Sequence, residues 1–207
     1  MTTVGSETTT VQRYWWLVLP VLPALLVGLV VGMFLPRFPT EGSAEVVFAR
    51  DMAAHHSQAV EMAIIIRDRS ADPDLRQFTL DIALTQQTQR GQFQGWLTQW
   101  GLPLSGAQPE MGGQGEQMGM ATQAQIAQLL DLPPAEAEIL FLQLMIRHHQ
   151  GGVMMAQDIL RTTRRTEVIR VADAVIAGQQ SEIAYMLTLL ERRGGTPPAP
   201  LEHMDHS

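Results

Sequence analysis

The chain contains no cysteine. Disulfide bracing and thiolate metal sites are therefore excluded, and any metal must be held by nitrogen, oxygen and thioether donors. Basic charge is scarce: 14 Lys and Arg stand against 21 Asp and Glu, giving a formal net charge of −7 and a pI near 5.3. That balance opposes a nucleic-acid binder, which presents a basic stripe or patch. The arginines that do cluster, Arg161, Arg164, Arg165 and Arg170, fall around an expected helix end, where cations favour the dipole. No segment of four or more residues alternates as a half-buried strand would. No Ser, His and Asp in catalytic order, phosphate loop or paired-carboxylate arrangement is readable.

Charge is missing altogether from Tyr14 to Pro36. An uncharged apolar run of that length is enough to cross a hydrocarbon core of about 30 Å, and Trp15 and Trp16 stand where an interfacial aromatic belt would lie. A cleaved secretory signal is the alternative, with Gly42-Ser43-Ala44 as the small-residue site, but such signals have apolar regions of only about 7–15 residues. The expectation is a polar arm over 1–13, an uncleaved membrane anchor over 14–36 and a linker over 37–44. Arg13 and Arg37 flank the run with no charge bias, so the working topology is the usual signal anchor, with the large domain on the extracytoplasmic side, or secreted if the signal is removed. About 160 residues follow, enough for one domain with a substantial core.

Two segments of that domain repeat each other. Met52, His55 and His56 recur as Met145, His148 and His149, an offset of 93 residues. The same offset carries Phe48 onto Phe141, Met62 onto Met155, Ala63 onto Ala156, Gln86-Gln87 onto Gln179-Gln180 and Gly101 onto Gly194. A match without insertion over that span is an internal duplication. On a helix, Met52, His55, His56, Ala59, Met62, Ala63 and Ile66 share one stripe, and Met145, His148, His149, Gly152, Met155, Ala156 and Ile159 share its counterpart. Arg50, Ala54, Gln58, Glu61 and Arg67 fall toward the opposite, solvent side of the first stripe. If the two helices face each other, four imidazoles enter one interior.

Helix signals divide the domain. Ser43 opens a first helix running to about Arg69; Asp72-Pro73 is an N-cap with proline at N1, and the second helix ends at Trp100 with Gly101 as its C′ residue. Thr122 with Gln125 forms a capping-box pattern for a short helix that Leu132-Pro133-Pro134 ends. A fourth helix is expected from about Ala135 to Thr162, and a fifth from Thr166 as its cap to about Arg192, stopped by Gly194-Gly195. The architecture this predicts is all-α: a four-helix bundle over 45–194 built from two duplicated hairpins. These are 45–101 and 134–194, joined by a Met- and Gly-rich connection over 102–133, with a disordered tail over 195–207. Each hairpin supplies a His-bearing helix and a Gln-bearing one.

Buried imidazoles need hydrogen-bond partners or a metal, because an unsatisfied polar group in an apolar interior costs about 1–3 kcal/mol. A single histidine on an apolar stripe is usually a satisfied core residue. Four at duplicated positions, each pair one turn from a methionine, favour metal ligation over a purely hydrogen-bonded or an acid–base role. Met111, Met118 and Met120, set among glycines in the connection, read either as a linker tucked onto the bundle or as a thioether arm for a soft ion. His203 and His206, after a proline-rich stretch, offer an outlying capture site or a plain disordered end.

These motifs resemble the domain of unknown function 305 family, whose pattern is a duplicated Met-x-x-His-His with a following Ala and Met-Ala; the resemblance covers about 45–194. It implies a ferritin-like helical bundle, often secreted or membrane-anchored in bacteria, with some members copper-binding or copper-tolerance proteins and no settled enzymatic activity. It also implies ligand status for His55, His56, His148 and His149, and more weakly for Met52, Met62, Met145 and Met155. Glu182, in Gln179-x-x-Glu182-Ile183, fits the family's second-helix pattern as a further weak candidate, whereas Gln89-Arg90 stands at the matching place in the first repeat.

Imidazole with thioether and without thiolate favours Cu(I) or Cu(II); zinc takes imidazole but not usually methionine, and calcium and magnesium want oxygen. A ferritin-like di-iron centre needs Glu-x-x-His on two helices, and the chain has none. The reading is a membrane-anchored, extracytoplasmic copper-binding protein acting as buffer, carrier or tolerance factor. A metal-free structural or interaction bundle and a metal-dependent enzyme of unassigned substrate are the alternatives. No nucleic-acid partner is expected.

Overall fold

The computed structural model describes residues 25–26, 38–106 and 114–201. Apart from Leu25 and Leu26, which are helical, the candidate span 14–36 lies outside the described residues. Among the described residues no helix is long and apolar enough to cross a membrane. The chain divides into two units, Met1–Phe38 and Pro39–Ser207. Within the described residues of the second unit there are five helices and no strand: α1 (Ala44–Arg69), α2 (Pro73–Gln99), α3 (Gln123–Asp131), α4 (Pro134–Thr162) and α5 (Thr166–Arg192).

Local chemistry explains the ends. Asp72 accepts from the backbone N–H of Asp74 at 2.9 Å and of Leu75 at 3.4 Å, supplying two of the donors that a helix start leaves without partners. Thr122 and Gln125 close a reciprocal capping box at α3. Gly101 and Gly194 take φ of 73° and 68° just past α2 and α5, the left-handed turn that an L side chain resists. Ser43 sits at the N-cap position of α1, but its side chain makes no cap hydrogen bond. The cap of α5 is Arg165 rather than Thr166, its N–H accepted by Thr163 Oγ1.

The duplication reappears as paired contacts. α1 packs on α2 and α4 on α5, and the two hairpins join through α1 and α4. Ser70 Oγ, past the end of α1, donates to Glu138 Oε1 at 2.6 Å, and Thr163 Oγ1, past the end of α4, donates to Glu45 Oε1 at 2.8 Å. Ser70 maps onto Thr163 and Glu45 onto Glu138, so α1 and α4 run antiparallel about a pseudo-twofold axis. Arg193 pairs with Asp72 and Glu138 at one end, and at the matching positions Arg165 lies over the Trp100 ring, 6.0 Å from its centroid. The core obeys the same symmetry. One apolar cluster contains Phe48, Met52, Phe93 and Leu97, and the other their counterparts Phe141, Met145, Met186 and Leu190.

The connection between the repeats breaks the symmetry and alters one expectation. Periodicity puts Arg50 and Gln58 on the solvent side of α1, yet both are buried. The connection covers them: Arg50 Nη2 donates to the Pro103 carbonyl at 2.9 Å and pairs with Glu41, while Gln58 accepts from Ala121 N–H at 2.7 Å and donates to its carbonyl at 2.9 Å. Gly151, which matches Gln58, admits the same strap on α4, since a Cβ there would overlap the Met118 carbonyl oxygen. Gly119, with φ 79°, lies so close to α4 that a Cβ would overlap the Arg147 carbonyl. Residues 118–121 thus cross from α4 to α1 over the middle of the central helix pair.

Candidate metal centre

Between the two apolar clusters lies a polar layer. His55, His56, His148 and His149 are all fully buried. Antiparallel α1 and α4 bring His55 onto His148 in a stack, ring centroids 3.6 Å apart at 30°. Within each pair the adjacent rings are 6.3 Å apart, as the turn of about 100° per residue requires. The second histidine of each pair therefore points elsewhere, toward the outer helix of its own hairpin. His56 Nε2–H donates to Gln89 Oε1 at 2.7 Å, and His149 Nε2–H donates to Glu182 Oε2 at 2.7 Å. Gln89 and Glu182 are related by the same 93-residue offset.

Most other polar atoms of this layer have no partner. His55 Nε2–H donates to the Met118 carbonyl at 3.1 Å, but Nδ1 of His55, His56 and His149 and both ring nitrogens of His148 are unbonded. Gln86 and Gln179, matched residues of α2 and α5, are buried with neither amide atom bonded. Gly152 takes no side chain because Gln179 fills the space beside it. Buried polar groups are normally satisfied, so a layer this rich in free lone pairs is suited to receive something that the protein itself does not supply.

Protonation fits that role. Burial holds the His55 imidazole down at about 3, helped by the neighbouring His56 charge, and holds His56 at about 4. Burial likewise pushes His148 well below the usual imidazole range, with His55 next in importance. At neutral pH these three rings are uncharged and their lone pairs are free for a metal without displacing a proton. Among the described residues, no three His, Asp or Glu side chains converge closely enough to hold an ion as they stand. The stacked rings fill the space between α1 and α4, so an ion there requires them to turn apart.

The remaining sequence candidates separate. Met52 and Met155 lie in one flanking cluster and Met62 and Met145 in the other, all buried. Met118, half-buried, packs against the first cluster and offers its carbonyl to His55. Met120 lines a cleft of about 580 Å³ with Arg50, Gln58, Glu61 and Arg90. Met111, His203 and His206 lie outside the described residues. Gln89 departs from the repeat pattern in residue type, yet the constant offset of 93 pairs it with Glu182.

The comparisons agree with this architecture. No curated protein matches the chain in sequence. A DUF305 protein of Streptomyces coelicolor is 43% identical, covering 78% of this chain and 98% of that one with a TM-score of 0.70. A DUF305 fragment from Deinococcus radiodurans is 38% identical over 74% of this chain and 99% of its own, TM-score 0.68. CopM in its Cu(II)-bound form is 25% identical, covering 72% and 96%, TM-score 0.62. The profile of the domain of unknown function (DUF305) matches residues 45–190, and the chain belongs to that family.

Proposed function

We propose that this protein binds copper in the histidine layer between α1 and α4, as a buffer, carrier or tolerance factor held at the extracytoplasmic face of a membrane by residues 14–36. The observation that carries the reading is the His55–His148 stack, two neutral imidazoles in contact, three of whose four ring nitrogens have no partner. Turned apart, they offer facing nitrogen donors. Buried thioethers from Met52, Met145, Met62 and Met155 lie in the clusters on either side and suit Cu(I) in particular. CopM, a structural relative, carries Cu(II). The uncharged run Tyr14–Pro36 supports the anchor.

The test is competition titration of the full chain with Cu(I) and Cu(II), in wild type and in His55→Ala/His148→Ala. Tight binding in the wild type, abolished in the variant, is the expected result. Unchanged affinity in the variant would move the site to the methionines of the connection or to His203 and His206. A metal-free structural bundle draws support from the lack of any three converging ligands among the described residues. It predicts no copper retained by the purified wild type.

A further inference from the structure

The two halves of the bundle treat their second imidazole with different chemistry at the same distance. Gln89 faces His56 and Glu182 faces His149, each at 2.7 Å. A carboxylate oxygen only accepts, so the contact with Glu182 places a proton on His149 Nε2 and leaves the buried Nδ1 unbonded. A carboxamide can present oxygen or, turned over, its NH₂, so Gln89 permits either tautomer of His56. Among the described residues His149 alone of the four imidazoles is bonded to a carboxylate.

The surroundings differ in the same sense. Phe78 packs edge-on against Tyr185, one turn beyond Glu182, with centroids 4.8 Å apart. Their counterparts, Val171 and Gln92, instead line an open cleft of about 380 Å³ beside Gln89. Glu182 retains 21% exposure, so its charge acts in a partly dry setting. A neutral layer of imidazole and thioether admits a single positive charge more readily than a double one. A nearby carboxylate stabilises a dication about twice as much as a monocation, by Coulomb's law. Through the shared imidazole it also makes the ligand more basic.

We infer that Glu182 is a positioning residue that makes the His148/His149 half of the layer selective for a divalent ion and sets the oxidation state in which copper is held, while the Gln89 half favours the monovalent ion. This rests on the copper reading above.

The full chain is titrated with Cu(I) and Cu(II) in wild type, Glu182→Gln, Gln89→Glu and the double exchange, and the potential of bound copper is measured in each. Glu182→Gln is expected to weaken Cu(II) by about 10–100-fold, the usual cost of losing such an outer partner. Cu(I) is expected to weaken by about 3–10-fold, the square root of that loss, because its charge is half as large. The bound couple then moves up by about 30–60 mV, at 59 mV per tenfold for one electron. Gln89→Glu should shift the potential down, and the double exchange should return it toward the wild-type value. In the metal-free protein, ¹⁵N spectra should show His149 as the Nε2–H tautomer in wild type and a mixture in Glu182→Gln. Equal losses for both ions without a shift in potential, or no loss for either, would overturn the inference while leaving copper binding intact. A wild type that binds neither ion would overturn both readings. Should Glu182→Gln fail to fold, a Gln89→Glu variant with an unmoved potential is enough to refute the assignment.

Discussion

Acidifying the metal-free protein should unfold it over a range set by its buried histidines rather than its carboxylates. His55 and His56 stay neutral in the fold down to about 3 and about 4. In the unfolded chain an imidazole takes a proton near 6.5. Between those values the unfolded state binds more protons, so stability is full above about pH 6.5 and declines as pH falls. Each such ring costs about 1.4 kcal/mol at pH 5.5 and roughly 2.5–2.7 kcal/mol at pH 4.5. Two rings therefore remove about 5 kcal/mol by pH 4.5, a large part of the roughly 5–15 kcal/mol that holds a domain together. His148, shifted the same way, steepens the decline. The lowered carboxyls of Glu41 and Asp72 contribute stability that is lost at lower pH, as the pH falls through values below the ordinary carboxylate range. Urea unfolding of the full chain followed by circular dichroism, with chelator present, at pH 7.5, 6.5, 5.5 and 4.5 measures the slope. A stability that is flat across that range and drops only below pH 4 would refute the reasoning. In His55→Gln/His148→Gln the slope should shrink by the contribution of those two rings.

Three further outcomes follow from the same geometry. Replacing His55 with His148, and separately His56 with His149, by alanine should give unequal results. The first pair should remove most copper affinity in competition titration; the second should lower the urea midpoint by breaking the hydrogen bonds to Gln89 and Glu182 and, of the two ions, should weaken Cu(II) more than Cu(I). Gly151→Ala should push the Met118 strap off α4 and cost about 1–3 kcal/mol in urea unfolding, as overpacking does. Asp72→Ala removes both the α2 cap and a partner of Arg193, and should cost about 1–2 kcal/mol in the same assay.

Much of the fold is written in local signals. The caps at Asp72 and Thr122, the proline at N1 of α2 and the left-handed glycines after α2 and α5 act within one turn, so reading neighbours along the chain is enough to place those ends. The 93-residue offset goes further, because identical stripes on two helices bury best against each other, and it pairs Phe48 with Phe141, Met52 with Met145 and, once followed, Gln89 with Glu182. Periodicity tells which face of α1 is apolar. It does not tell what will cover the other face, and so it points Arg50 and Gln58 to solvent although residues 103 and 121 lie over them. Nor does helical spacing say which histidine of a pair meets its twin. The antiparallel crossing of α1 and α4 decides that: it stacks His55 on His148 and turns His56 and His149 toward the outer helices, where a carboxamide in one half and a carboxylate in the other receive them. Local sequence sets each helix and its buried stripe because those forces act over a few residues. The grouping of polar atoms in the interior depends on how two helices far apart in the chain cross, and that arises only when the hairpins close on each other.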